Sequence, residues 1–189
     1  MPQRKGEPKI FKQDECPQPT SLEQLAKMRP AFKKDGVTTA GNASIISDGA
    51  AAVVVMSREK AEALGCTILA TIGAQASYGI DMKYVLVAPI WAVPKCVQKE
   101  GVSLDDIDLY EINEAFSGST VAALKTLKLD PAKVNVNGGS VALGHPIGAS
   151  GCRLLVTLVY EMVRQNKNRG LVSLCLGGGE AVAMIVRRQ

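Results

Sequence analysis

Read for apolar periodicity, the chain changes character near residue 67. From Ile68 onward, short apolar runs alternate with stretches patterned for helix. Strands are predicted at Ile68–Ala76, Ile107–Ile112, Val134–Val136, Leu171–Leu176 and Ala181–Val186. Helices are predicted at Pro89–Glu100, Phe116–Leu127 and Ile147–Gln165. Strands spaced by helices imply βαβ units around a mostly parallel sheet. The last two strands, joined by Gly177-Gly-Gly179, should instead run antiparallel.

Before residue 67 this rhythm is absent. The first twenty residues are polar and Pro-rich and read as an extended surface segment. Thr20-Ser-Leu-Glu23 fits a capping box that opens a short helix ending before Pro30. Ala50–Met56 is apolar without alternation, so it is expected to be a strand buried on both faces. Ser57 should cap a helix that ends at Gly65. Residues 1–66 thus read as the tail of a preceding domain whose beginning is missing, and residues 67–189 as a domain with a full set of elements.

Composition narrows the picture. Of 189 residues, 47% are apolar and only 4% aromatic, so the core must be built from Val, Leu, Ile and Ala, as in layered α/β packing. Lys and Arg number 22 against 18 Asp and Glu, a net +4 with no basic run beyond Lys33-Lys34 or Arg187-Arg188. A nucleic-acid binder would need a concentrated basic stripe, so that class is set aside. Cys16, Cys66, Cys96, Cys152 and Cys175 are scattered with no C-x-x-C pair. This disfavours zinc and disulfides and suggests an intracellular, most simply cytoplasmic, setting, an organelle remaining open. No window is long and apolar enough for a membrane span. The start has no secretory apolar segment and the end no peroxisomal tripeptide.

Three segments place a reactive side chain at the end of a predicted strand, where ligands bind in α/β sheets. Asn113-Glu-Ala-Phe116 offers an amide that could cap a helix or hold a water. Its Glu114 could be a general acid or base, or a helix-start charge. His145, the single histidine, lies in a loop dense in Gly and Pro; it is a structural residue or a rigidly held base. Cys175 precedes three glycines. It is a small buried hydrophobe, or a thiol whose pKa is lowered by free backbone N–H groups that could also cradle an oxyanion.

Together these segments resemble the thiolase family. The match comprises N-E-A-F, then N-x-x-G-G-x-x-A-x-G-H-P-x-G-x-S-G-x-R (Asn135 to Arg153), then C-x-G-G-G (Cys175 to Gly179), in order and spacing. It extends over essentially the whole chain, including Thr39-Ala-Gly-Asn-Ala-Ser44 and Asp48-Gly-Ala-Ala-Ala52. The resemblance implies a layered α/β fold of two similar βαβαβαββ halves, of which this chain carries the C-terminal half and the tail of the N-terminal one. It implies an acyl-CoA C-acyltransferase, performing reversible Claisen condensation or thiolytic cleavage of 3-oxoacyl-CoA. Coenzyme A would enter as substrate, with no bound prosthetic group.

The same resemblance implies residue roles. His145 would take the proton of a nucleophilic cysteine and, with a water held by Asn113, form one oxyanion hole. Cys175 would exchange a proton at the substrate α-carbon or the leaving thiol, and Gly177 N–H would belong to a second oxyanion hole. Ala40, Ser44 and Phe116 would line the pantetheine channel. Three departures stand out. Glu180-Ala181 follows the glycines where many members have an uncharged residue and then Gly. Val87-Ala-Pro-Ile-Trp91 replaces a more usual Gly-x-Gly-Pro-Ile-Pro, putting an indole near the expected pocket. No cysteine here sits in the C-x-S-G-like setting of the family's nucleophile. The chain alone is therefore expected to be inactive, partnered by an N-terminal thiolase half or by copies of itself. The other reading is a non-catalytic thiolase-like protein that binds acyl-CoA or a partner.

Overall fold

The computed structural model describes residues 1–188. Two short helices precede the sheet. Helix α1 (Leu22–Ala26) starts at a capping box, but the box is Ser21 with Gln24. Two frames of the same S/T-x-x-E/Q pattern overlap at this point, and the expected Thr20–Glu23 frame is not the one used. Helix α2 (Arg58–Ala63) is capped by Ser57, whose hydroxyl accepts from Lys60 N–H.

Strand β1 (Thr71–Gly79) starts three residues later than predicted. Helix α3 (Pro89–Glu100) has the predicted bounds. Pro89 occupies the first helical position, where no N–H is required, and Gly101 closes the helix in the left-handed region at φ 77°. Strand β2 (Leu109–Ile112), helix α4 (Ser117–Leu127) and the single turn α5 (Ser140–Leu143) follow. Helix α6 (Ser150–Arg164) is shorter at its start than expected. Strands β3 (Arg169–Leu176) and β4 (Glu180–Arg187) end the chain.

The sheet order is β1-β4-β3-β2. Only β2 and β3 pair in parallel; β4 is antiparallel to both β3 and β1. The expected mostly parallel sheet is therefore mixed. Three strands do share a direction, but β4 returns through the glycine turn and inserts between two of them. The predicted strand Val134–Val136 shrinks to one bridge, Tyr110 to Val134. Beyond it, the side chain of Asn135 takes over from backbone. Its Oδ1 accepts from Ile112 N–H and its Nδ2 donates to Ile112 C=O, both at 2.8 Å. An amide can mimic a strand residue because it offers one acceptor and a donor in one plane. Asn135 reaches this pose at φ 50°.

The sheet is covered on both faces. Ala181, Ala183 and Ile185 of β4 join Ala92, Val93, Cys96 and Val97 of α3 and Ala123 of α4 in the larger core. On the opposite face Leu109, Val172 and Val186 pack against Leu154, Leu158 and Met162 of α6. That period-two division along β4 fixes its register, since a slip of one residue would exchange the faces.

The run Ala50–Met56 departs most from expectation. It forms no strand, and Val53, Val54 and Val55 are 45%, 85% and 67% exposed. A strand buried on both faces needs pairing neighbours and a cover on each side. Among the described residues nothing pairs with this run. Val53 lies at the edge of a groove of about 520 Å³ that also includes Leu155, Leu174 and Met184.

Candidate active site

The parallel pairing of β2 with β3 places Asn113 and Cys175 at the carboxyl ends of adjacent strands. Ile112 pairs with Ser173, and Asn113 N–H donates to Ser173 C=O at 2.9 Å. Cys175 follows two residues later on the neighbouring strand. Asn113 is buried, with 4% of its surface exposed. A buried primary amide needs partners on both its ends, and it has them. Oδ1 accepts from Ser140 Oγ at 2.8 Å, and Nδ2 lies 3.3 Å from His145 Nε2.

His145 comes to this position through a loop that few sequences could follow. Gly144 is buried with φ 94°, and a Cβ on it would collide with Ser47 Oγ. His145 N–H donates to Ile45 C=O at 2.8 Å. Its other ring nitrogen, Nδ1, is 2.6 Å from Ser150 Oγ, whose hydroxyl reaches Pro146 C=O at 3.0 Å. Burial lowers the imidazole pKa, and the Arg153 guanidinium pushes the same way. The ring is therefore neutral at physiological pH and free to accept a proton.

Behind this pair lies a half-buried guanidinium beside a buried carboxyl. Arg153 Nη2 donates to Ser140 Oγ at 3.1 Å, and Nη1 pairs with Glu111 Oε2 at 3.5 Å. Glu111, on β2, is 2% exposed. Burial pushes its carboxyl up to about 7, and Glu161 adds to that; the attraction of Arg153 opposes it without prevailing. Sequence reasoning missed Glu111, Ser140, Ser150 and Arg153. The last three lie inside the long glycine-rich motif; the contacts that give Ser140 and Arg153 meaning span 13 to 42 residues, whereas Ser150 meets His145 only five residues away.

Glu114 takes the helix-start alternative. Its two carboxylate oxygens accept from Ser117 Oγ at 2.9 Å and Val141 N–H at 3.1 Å, tying the starts of α4 and α5 together. The segment expected in a pantetheine channel docks beside it. Ala43 bridges Phe116, Ser44 N–H donates to Ala115 C=O at 3.0 Å, and Ser117 N–H donates to Asn42 C=O at 2.9 Å. Ser44 and Phe116 are thus neighbours and half-buried, whereas Ala40 is exposed on the preceding turn.

Cys175 is half-buried on β3, opposite Ala181. Its thiol does not have the lowered pKa that the glycines suggested. Burial raises it above the ordinary thiol value and outweighs the hydrogen bond from its own backbone N–H. A thiol that keeps its proton is suited to donate it. Its side chain makes no hydrogen bond to His145 or Asn113 among the described residues. Gly177 is exposed in the β3–β4 turn, with open space where a Cβ would be. The unusual backbone falls on the next two residues, Gly178 and Gly179, each at φ 93°. Gly179 is closed in, since a Cβ there would strike Ile80 C=O. Of the departures, Trp91 stacks on Tyr78 with ring centroids 6.1 Å apart, and Glu180 is exposed at the start of β4.

Among the described residues no cluster of His, Cys, Asp and Glu could hold a metal, and no helix is long and apolar enough to cross a membrane.

Comparison with known proteins points to one family. The family model for the thiolase C-terminal domain matches residues 66–188, and that for the thiolase N-terminal domain matches residues 1–59. An acetyl-CoA acetyltransferase of Pseudomonas aeruginosa is 53% identical over 189 residues, covering 100% of this chain and 48% of that protein. A probable acetyl-CoA acyltransferase of Staphylococcus aureus is 49% identical with the same coverage. The crystal structure of the Bacillus anthracis acetyl-CoA acetyltransferase superposes with a TM-score of 0.90 at 45% identity, over 95% of this chain and 47% of that one. Human mitochondrial 3-ketoacyl-CoA thiolase in complex with CoA gives 0.86 at 40% identity, over 93% and 45%. The chain spans about half the length of the curated relatives it matches.

Proposed function

The chain belongs to the thiolase family, and from that premise we propose that it supplies the proton-handling part of an acyl-CoA C-acyltransferase acting on 3-oxoacyl-CoA. The observation that carries this reading is the convergence of Asn113 and His145 at 3.3 Å from loops 32 residues apart. A neutral, rigidly held imidazole beside a buried amide matches the pairing that the reaction requires.

In this reading His145 Nε2 takes the proton of a nucleophilic thiol, which then attacks the substrate acyl carbon. Asn113 holds a water that, with His145, faces the thioester oxygen and stabilises the enolate formed when the α-proton leaves. Cys175 exchanges that α-proton; a raised thiol pKa suits the protonated state from which it gives one back. Gly177 N–H contributes to a second oxyanion hole, and the clasp of Ser44 on Phe116, with Ala40 outside it, borders the pantetheine arm of coenzyme A. The acylated nucleophile belongs to the rest of a full-length thiolase, which is accordingly the partner we assign to this chain. A boundary near residue 66 separates the two thiolase domains.

The test uses acetoacetyl-CoA and coenzyme A with the 189-residue chain and with a full-length form carrying it. The chain alone should turn over orders of magnitude more slowly, if at all. In the full-length form, His145→Ala should abolish the acylation burst, whereas Cys175→Ala should acylate normally and lose α-proton exchange. If Cys175→Ala loses acylation as completely as His145→Ala, the assignment of roles is wrong.

A further inference from the structure

We propose that Ser150 and the Arg153–Ser140–Asn113 relay are positioning residues that lock His145 in the tautomer with its proton on Nδ1 and its lone pair on Nε2. The proposal deepens the function assigned above, because a base must present an unprotonated nitrogen to the group it deprotonates.

The direction of the hydrogen-bond chain follows from its two ends. A guanidinium can only donate, so Ser140 Oγ accepts from Arg153 Nη2 at 3.1 Å. The Ser140 proton then goes to the remaining neighbour, Asn113 Oδ1, at 2.8 Å. That fixes the amide: its NH₂ group, a pure donor, faces His145 at 3.3 Å, so Nε2 must accept. At the far end the Ser150 hydroxyl faces Pro146 C=O at 3.0 Å, a carbonyl that also accepts from the Ala149 and Ser150 N–H groups, so once Nδ1 is protonated the hydroxyl proton has an acceptor there. Ser150 Oγ is left to accept, and His145 Nδ1–H donates to it at 2.6 Å. Every member is satisfied in this sense. In the opposite sense, Nε2–H would face the Asn113 NH₂ group, donor against donor.

Both serines are shielded enough for this to matter. Ser140 and Ser150 are 0% exposed, so no bulk water competes for their hydroxyls. Ser150 opens helix α6, and that helix has no side-chain cap bond at Ala149. Its hydroxyl is engaged with the His145 loop instead.

His145 is the only histidine in the chain, so its imidazole nitrogens give one unambiguous pair of signals in a long-range ¹H–¹⁵N spectrum of the labelled protein. With the ring neutral, Nδ1 should resonate as a protonated nitrogen and Nε2 as an unprotonated one. We expect an excess of about tenfold, the ratio that roughly 1.4 kcal/mol of hydrogen bonding maintains. Ser150→Ala should erase most of that excess, and Ser150→Thr, which keeps the hydroxyl, should restore it. Ser140→Ala should weaken it by freeing the Asn113 amide. A dominant Nε2–H signal in the unsubstituted chain overturns the proposal, as does an unchanged tautomer ratio in folded Ser150→Ala. The unsubstituted chain decides the matter alone if the variants do not fold. The spectrum reads the tautomer without any turnover, so its result is separable from the fate of the acyltransferase assignment.

Discussion

Replacing Glu111 by Gln should remove a pH dependence from the stability of this chain. Glu111 is 2% exposed, and burial carries its carboxyl from an ordinary 4.5 up to about 7 despite Arg153 at 3.5 Å. Unfolding returns the group to water, so between about pH 4.5 and 7 the folded state holds a proton that the unfolded state has released. Stability therefore falls as pH rises across that window. A difference of roughly 2.5 units at 1.36 kcal/mol per unit gives about 3 kcal/mol. His145 acts in the opposite sense. Its pKa is lowered by folding, so protonation on acidification favours the unfolded chain, and stability gained with rising pH partly masks the Glu111 effect. The measurement must therefore be a difference. Urea melts of the native chain and of Glu111→Gln at pH 5 and pH 8 share the His145 contribution, and subtracting them isolates the carboxyl. Because part of the effect falls below pH 5, the native chain should lose about 2–3 kcal/mol more than the variant between the two pH values. Parallel pH profiles would show that Glu111 is ionised throughout and that Arg153, not burial, governs its charge.

Two further outcomes follow from packing. Gly144→Ala should destabilise the chain by about 1–3 kcal/mol, because φ 94° is costly for any L side chain and the new methyl meets Ser47 Oγ; an unchanged urea midpoint would refute that. Ile185→Ala should cost about 2–5 kcal/mol, since Ile185 is 0% exposed between β4 and α3 and leaves a cavity that neither neighbour can fill; calorimetry or urea melts would read it.

The parts of the fold legible in the sequence were those set by local chemistry. Pro89 and Gly101 bracket α3 with the two residues best suited to a helix start and a helix stop, and the bounds follow. Ser57 caps α2 for the same reason. Strand direction is different. Period-two or unbroken apolar patterns report which faces are buried and carry no sign, so β4 could not be placed between β1 and β3 from its residues. The Val134–Val136 run reads as a strand because two Val flank Asn135. In the structure the amide of Asn135 makes the pairing that backbone was expected to make. For the site, glycine density drew attention to the loops of His145 and Cys175. The serines and Arg153 that orient His145 gave no such signal, since a buried hydroxyl and a surface one are written with the same letter.

Where the chain is ordered before residue 67 has a bearing on the site itself. The run Val53–Val55 is exposed and unpaired, but residues 42 to 45 are held by backbone. Asn42 and Ser44 bond to the loop that follows Asn113, and Ile45 C=O receives the His145 N–H. One stretch of backbone thus bridges the loops that carry the amide and the imidazole, two residues before Ser47, the residue that forbids a side chain at Gly144. Backbone bonds of this kind do not depend on which side chains the segment carries, but they fail together if it lifts away. Releasing it would cost His145 its N–H acceptor and uncover one wall of the Gly144 turn at the same moment. The 3.3 Å approach of His145 to Asn113 therefore rests on this segment as well as on the sheet, because both loops bond to its backbone.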